Sequence, residues 1–160
     1  MHKKLTAIIV DDEPTARAIL LTHLRQIPLV EVLGDFKNAI EALTFLKTQS
    51  VDVVFLDINM PEVTGLSLGK LVHNDVKIVF TTAHREYAVE GFNVSASDYI
   101  LKPIAFDRFE EAVAKVQREL ALEQNTPQAN THLTIRADYK LYNIPLEDIL
   151  FIEAMDDYIK

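Results

Sequence analysis

Short unbroken apolar runs alternate along the chain with longer stretches in which apolar residues return every three or four positions. The run Val53-Val54-Phe55-Leu56 contains no polar residue and ends on one carboxylate, Asp57, ahead of Ile58-Asn59-Met60-Pro61. A strand without alternation is apolar on both faces, as a central parallel strand must be, and the proline stops its ladder. Residues 5–10, 30–35, 76–81 and 97–101 read as four further strands. Helical spacing runs from Pro14 to Ile27, with Asp11-Asp12-Glu13 before it as cap and dipole partner. Asn38 caps a helix carrying Ile40, Leu43 and Leu46 on one face. Residues 65–73 and 86–92 read as short helices, and 105–122 as a long one lined by Phe109, Val113, Val116 and Leu120. Five strands alternating with five helices predict an α/β fold, doubly wound, with right-handed crossovers and helices on both faces of the sheet.

The pattern changes after residue 122. Residues 123–131 are polar without period and read as a linker. Residues 133–136, 141–144 and 149–152 are short strand candidates, with Asp138-Tyr139 as a hairpin turn. Independent domains below ~40 residues usually need extra support, so 132–160 reads as a β-rich N-terminal fragment of a second domain. The expected organisation is a first domain over 1–122, a linker over 123–131 and that fragment.

Composition narrows the function. The chain of 160 residues is 49% hydrophobic and 25% charged, with a formal net charge of -8. Residues 123–160 hold Arg136, Lys140 and Lys160 against seven carboxylates, which is half of the net excess. Neither segment offers the basic patch that binding to a phosphate backbone requires, so the chain as it stands is not expected to bind nucleic acid. No apolar run approaches the ~18 residues of a membrane span, and the N-terminal residues do not resemble a signal peptide. The absence of cysteine excludes zinc-thiolate sites and disulfides and fits a cytoplasmic location.

The candidate chemistry lies at the strand ends, which converge on one crevice in a doubly wound sheet. They supply Asp11 and Asp12, then Asp57, then Thr81 and Thr82, then Lys102. Three gathered carboxylates repel one another, so they raise a pKa or call for a cation; a hard divalent ion with oxygen ligands, Mg2+ above all, answers that demand. Lys102 and a hydroxyl add two groups for phosphoryl oxygens, so the pocket is suited to accept a phosphoryl group on Asp57.

Asp-Asp-Glu after the first strand, Phe-Leu-Asp-Ile-Asn-Met-Pro with Gly65, Thr-Thr-Ala, and Tyr-Ile-Leu-Lys-Pro, taken together and in order, resemble the receiver domain of two-component response regulators over roughly residues 5–122. The resemblance implies the flavodoxin-like strand order 2-1-3-4-5, an arrangement for which the chemotaxis receiver is a standard example. It implies that Asp57 is the phosphoacceptor, with Mg2+ held by Asp11, Asp12, Asp57 and the Asn59 backbone carbonyl. Thr82 resembles the switch hydroxyl, Lys102 the lysine that pairs with the phosphoryl charge, and Tyr99 the aromatic that moves with Thr82. A sensor histidine kinase is the implied donor. The function is then that of a phosphoacceptor signalling domain and not an enzyme, with slow self-phosphorylation from small donors and slow self-dephosphorylation. The 86–122 face is expected to control homodimerisation. Residues 133–158 more weakly resemble the opening of a LytTR-type DNA-binding domain, implying a transcription regulator that meets DNA through the remainder of that domain.

Other readings compete. A haloacid-dehalogenase-like phosphatase also uses a strand-end aspartate with magnesium, but it wants a second Asp where this chain has Asn59. A flavin site is disfavoured by the anionic first turn. A receiver-type interaction module that works without phosphorylation remains open. Asp52 reads as a cap or turn residue, and Thr81 as structural. His2, His23, His73 and His132 read as solvated surface, whereas His84, with Asn59, is placed to tune phosphoryl lifetime.

Overall fold

A computed structural model of the chain describes residues 4–73, 75–86, 95–125, 132–137, 140–145, 154–155 and 158–159. The chain divides into two compact units, residues 1–119 and 120–160. The expected helix over 86–92 and the strand candidate over 149–152 fall almost wholly or wholly outside the described residues.

In the first unit, β1 (Leu5–Val10), β2 (Val30–Phe36), β3 (Val53–Asp57), β4 (Lys77–Thr82) and β5 (Asp98–Leu101) form one parallel sheet in the order 2-1-3-4-5. The described helices are α1 (Pro14–Arg25), α2 (Ala39–Leu46), α3 (Gly65–Leu71) and α4 (Phe106–Asn125). This is the flavodoxin-like arrangement the sequence led us to expect. All five residues of β3 are buried, as a strand covered on both faces requires.

Side chains alternate across the sheet and so feed two cores. Ile8, Val10, Val54, Leu56, Ile78 and Phe80 pack with Ala39, Ala42 and Leu68 of α2 and α3. Ala7, Ile9, Val53, Phe55, Val79 and Ile100 point the other way and are buried as well. On that side Phe55 meets Phe109 of α4 with ring centroids 4.8 Å apart. The His23 ring of α1 lies 5.5 Å from Phe106 and 5.6 Å from Phe109.

Several local expectations need correction. Glu13 is the N-cap of α1, but no side chain caps the helix there; Asp11 instead accepts from the Glu13 N–H at 2.9 Å. The Asn38 cap forms as expected, its side chain accepting from the Glu41 N–H at 2.9 Å. α4 continues through Asn125, three residues into the stretch read as linker, because Glu123 and Gln124 are good helix formers and extend the final turn. His23 is not solvated surface: Nε2 lies 2.9 Å from the Ile104 carbonyl, which fits an Nε2–H donor, and Nδ1 is buried without a hydrogen-bond partner among the described residues. The period of α1 put His23 beside Leu20 and Leu24, and its amphipathic ring follows them inward. Asp52 does act locally, as a clasp at the N-terminal edge of the sheet. Its carboxylate accepts from the Thr6 N–H and hydroxyl, both at 2.8 Å.

In the second unit β6 (His132–Ala137) and β7 (Lys140–Pro145) form an antiparallel hairpin, closed by Ala137 opposite Lys140. β8 (Ala154–Met155) and β9 (Tyr158–Ile159) form a second short antiparallel pair. Among the described residues no helix is long and apolar enough to cross a membrane.

Thr81 is fully buried, and its hydroxyl has no hydrogen-bond partner among the described residues. An unpaired buried hydroxyl costs about 1–3 kcal/mol. Thr81→Val keeps the shape and removes that group, so urea denaturation should show a gain of about 1 kcal/mol. Any loss of stability would mean the hydroxyl is paired in solution.

Candidate functional site

The site is assembled where β1, β3, β4 and β5 run out. Asp11 directly follows β1 and is fully buried, and Asp12, one position past Asp11, is open to solvent; Asp57 is the last residue of β3 and is 4% exposed. One carboxylate oxygen from each of the three lies within 4.8 Å of the others. Lys102, one residue past β5, reaches between them. Its Nζ donates to Asp11 Oδ2 at 2.8 Å, lies 2.9 Å from Asp57 Oδ1, and is 3.9 Å from the more exposed Glu13 carboxylate.

Backbone bonds hold these ends in register. The Lys102 N–H donates to the Thr82 carbonyl at 2.7 Å, and the Ile58 N–H donates to the Thr81 carbonyl at 3.0 Å. The Lys102–Pro103 peptide is cis. Thr82 ends β4 almost fully buried, its hydroxyl accepting from the His84 N–H at 3.0 Å. His84 is exposed, with Nδ1 3.3 Å from Glu86 Oε1. Asn59, two residues past Asp57, is also exposed.

Gly65 sets how tightly the loop after β3 closes. Its N–H donates to the Ile58 carbonyl at 2.9 Å, and a β-carbon there would lie 2.0 Å from the Asp57 carbonyl oxygen. The loop also contains a γ-turn from Pro61 to Val63, with Glu62 at its centre at φ 66°. That conformation costs a residue with a β-carbon about 1–2 kcal/mol.

The electrostatics follow from the crowding. Burial pushes the Asp57 carboxyl up; the hydrogen bond and charge of Lys102 pull it down, and the charges of Asp11 and Asp12 push it up again. The net direction is upward. Burial alone would lower the Lys102 ammonium, but hydrogen bonds to Asp11 and Asp57 outweigh it and the group sits above its ordinary value. Both groups are raised, which favours the charged form of Lys102, answered by two carboxylates, and the neutral form of Asp57, which is buried and shares one cation with two like charges.

Tyr99 lies on β5, partly buried, its ring stacked on Phe80 at 5.2 Å between centroids. Burial also raises its phenol. Arg108 of α4 grips the same strand. Its two terminal nitrogens donate to the Asp98 carboxylate at 2.8 Å each, and Nη2 also donates to the Tyr99 carbonyl at 3.0 Å. Burial alone would raise Asp98, but Arg108 and the Tyr99 N–H hold it below the usual carboxylate range. The structure thus brings together Asp11, Asp12, Asp57 and Lys102, places Thr82 at the adjoining strand end, and leaves Asn59 and His84 exposed in the loops that follow β3 and β4. Sequence reasoning missed Arg108 and His23, which tie β5 and the segment after it to neighbouring helices; their partners are too distant in the sequence for any local spacing to signal them.

A parallel 2-1-3-4-5 sheet with an acidic, lysine-bridged cleft at its carboxyl edge is the arrangement of a receiver-type signalling domain. Comparison with known proteins agrees. The response regulator receiver domain family matches residues 7–114, and the chain belongs to that family. It is 39% identical over 153 residues to an uncharacterised response regulatory protein of Shewanella oneidensis, covering 92% of this chain and 65% of the other. It is 34% identical over 160 residues to the transcriptional regulatory protein LytR of Staphylococcus aureus, with the same coverage. Thus the chain spans about 65% of the length of these curated relatives. Among solved structures it resembles the response regulator TrrA of Thermotoga maritima in complex with Mg(2+)-BeF, with a TM-score of 0.64 and 31% identity over 70% of this chain and 98% of that one.

Two outcomes follow for the site. Gly65→Ala should cost about 2 kcal/mol or more in urea denaturation, because the new methyl group meets the Asp57 backbone and not a yielding side chain. An unchanged midpoint would contradict the close approach. The raised Asp57 value means that the folded state holds a proton the unfolded state has released, so this carboxyl subtracts stability as pH rises through and above that window. Asp57→Asn should therefore be more stable than the native chain at pH 7 without metal, and the advantage should shrink as pH falls through the carboxylate range. A constant difference in the two melting profiles would rule this out.

Proposed function

We propose that this chain receives a phosphoryl group on Asp57 from the phosphohistidine of a sensor histidine kinase, in the cytoplasm, and that magnesium assists the transfer. The observation that carries the reading is the meeting of Asp11, Asp12, Asp57 and Lys102 in one cleft. Three hard carboxylate oxygens suit a hard divalent ion, and Asp11, Asp12, Asp57 and the Asn59 carbonyl would hold it. Bound there, the ion would neutralise charge on the acceptor and on the incoming phosphoryl oxygens.

The chain's own groups account for the remainder. An Asp57 oxygen forms the new P–O bond as the donor's P–N bond breaks, and the imidazole leaves with that electron pair. Lys102, already within 2.9 Å of Asp57, pairs with the added charge of about -2. Thr82 supplies a hydroxyl to a phosphoryl oxygen and in doing so releases its contact with the His84 N–H. Tyr99, on the adjacent strand, repacks with it, and the 86–122 face changes its capacity to form a homodimer. Asn59 and His84, exposed in the loops following β3 and β4, tune the lifetime of the phosphoryl group by governing water. Small donors such as acetyl phosphate would serve slowly in place of the kinase. Residues 132–160 are the start of a LytTR-type DNA-binding domain after the linker, and the intact protein is a transcription regulator that meets DNA through that domain. The similarity to LytR supports this output.

Incubation with acetyl phosphate and magnesium, read by intact mass, should add one phosphoryl group to the native chain and none to Asp57→Asn. Lys102→Ala should be labelled far more slowly. Rapid multiple turnover of the donor would instead indicate a phosphatase. Asn59→Ala and His84→Ala should each change the half-life of the phosphorylated chain by several-fold; unchanged half-lives for both would remove their tuning role.

A further inference from the structure

Arg17 occupies the first turn of α1, where the helix dipole disfavours a cation, so helix stability does not explain it. Its side chain is only 17% exposed. Nη1 donates to the Asp11 carbonyl at 2.7 Å, and Nε donates to Asp35 Oδ2 at 3.0 Å. On its other side Asp11 donates its own N–H to the Phe36 carbonyl at 3.0 Å. Asp35 and Phe36 are the last two residues of β2. The Asp11 main chain is therefore gripped at both its polar groups from the end of one strand, once directly and once through the planar fork of Arg17. The carbonyl that Arg17 holds belongs to the peptide joining Asp11 to Asp12, so fixing its plane sets the direction in which Asp12 leaves the strand.

We propose that Arg17, anchored by Asp35, is a positioning residue for the divalent-ion site: it fixes the Asp11–Asp12 peptide so that the solvent-exposed Asp12 converges with the buried Asp11 and Asp57. This rests on the magnesium reading given above. Arg17 touches neither the acceptor oxygen nor any phosphoryl oxygen, and it acts through the backbone. The role has a sign that distinguishes it from a simple charge effect. A cation beside an acidic cluster repels a metal ion, so loss of the charge alone would tighten magnesium binding. Loss of the clamp would weaken it, because an incorrectly aimed ligand must be reordered when the ion binds.

The test is calorimetric titration of the full 160-residue chain with magnesium chloride, comparing the native protein with Arg17→Gln and Arg17→Lys. The clamp predicts about 10-fold weaker binding for Arg17→Gln, the order seen for outer partners of metal ligands. It predicts a smaller weakening in the same direction for Arg17→Lys, which keeps the charge and loses the fork. Circular dichroism confirms that each variant is folded, and Arg17→Lys carries the test if Arg17→Gln is not. Native binding with tighter or unchanged affinity in the folded variants overturns the clamp and leaves the magnesium reading standing. Absence of magnesium binding to the native chain overturns both.

Discussion

The structure depends on one crowded electrostatic arrangement, a lysine ammonium shared between two buried carboxylates at the end of the central strands. Asp11 and Asp57 are among the most deeply buried charged groups described, and each takes a bond from Lys102. Removing Lys102 would strand two buried carboxylates, a loss of several kcal/mol in typical buried pairs. The set is also unbalanced, since Lys102 faces Asp11, Asp57 and the more exposed Glu13, with Asp12 nearby. Burial, with the charges of Asp11 and Asp12 added to it, keeps the Asp57 carboxyl raised against the pull of Lys102, and the excess negative charge gives the cleft its demand for a further cation. Stability and function thus pull in opposite directions at one residue, as expected where a site is built for chemistry.

The fold converts that imbalance into geometry. Parallel register delivers all the strand ends to one edge, and the bond between the Lys102 N–H and the Thr82 carbonyl joins the ends of β4 and β5. Phe80 and Tyr99 stack on each other two residues in from the ends of β4 and β5, and Arg108 ties β5 to α4 through Asp98 and the Tyr99 carbonyl. The strands that end in the cleft are thus the same ones that carry the Phe80–Tyr99 stack and the Arg108 grip from α4. Tight closure on the other flank comes from Gly65, which leaves the loop after β3 no room for a β-carbon.

Much of this was legible in the chain because its determinants are local. An unbroken apolar run marks a strand covered on both faces, so β3 and its terminal Asp57 could be placed without the fold. Asn38 and the stripe on the last helix gave their elements for the same reason. The receiver assignment came from resemblance, resting on motifs at several strand ends taken together. What sequence spacing could not carry was any contact formed by tertiary approach. Arg108 is ten residues from Asp98, Arg17 is eighteen from Asp35, and His23 lies 81 from Ile104. The role of His23 was misread because a lone polar residue on a helix gives no sign of which neighbour it will meet. The end of α4 was misplaced because Glu and Gln serve both a linker and a helix.

The burial and crowding of the Asp57 carboxyl are most directly tested by carboxyl-carbon NMR. The Asp57 resonance followed against pH should show a midpoint above that of an ordinary aspartate in metal-free buffer, and a marked fall when magnesium is added. An ordinary midpoint that magnesium leaves in place would mean that the cleft has no unmet demand for a cation.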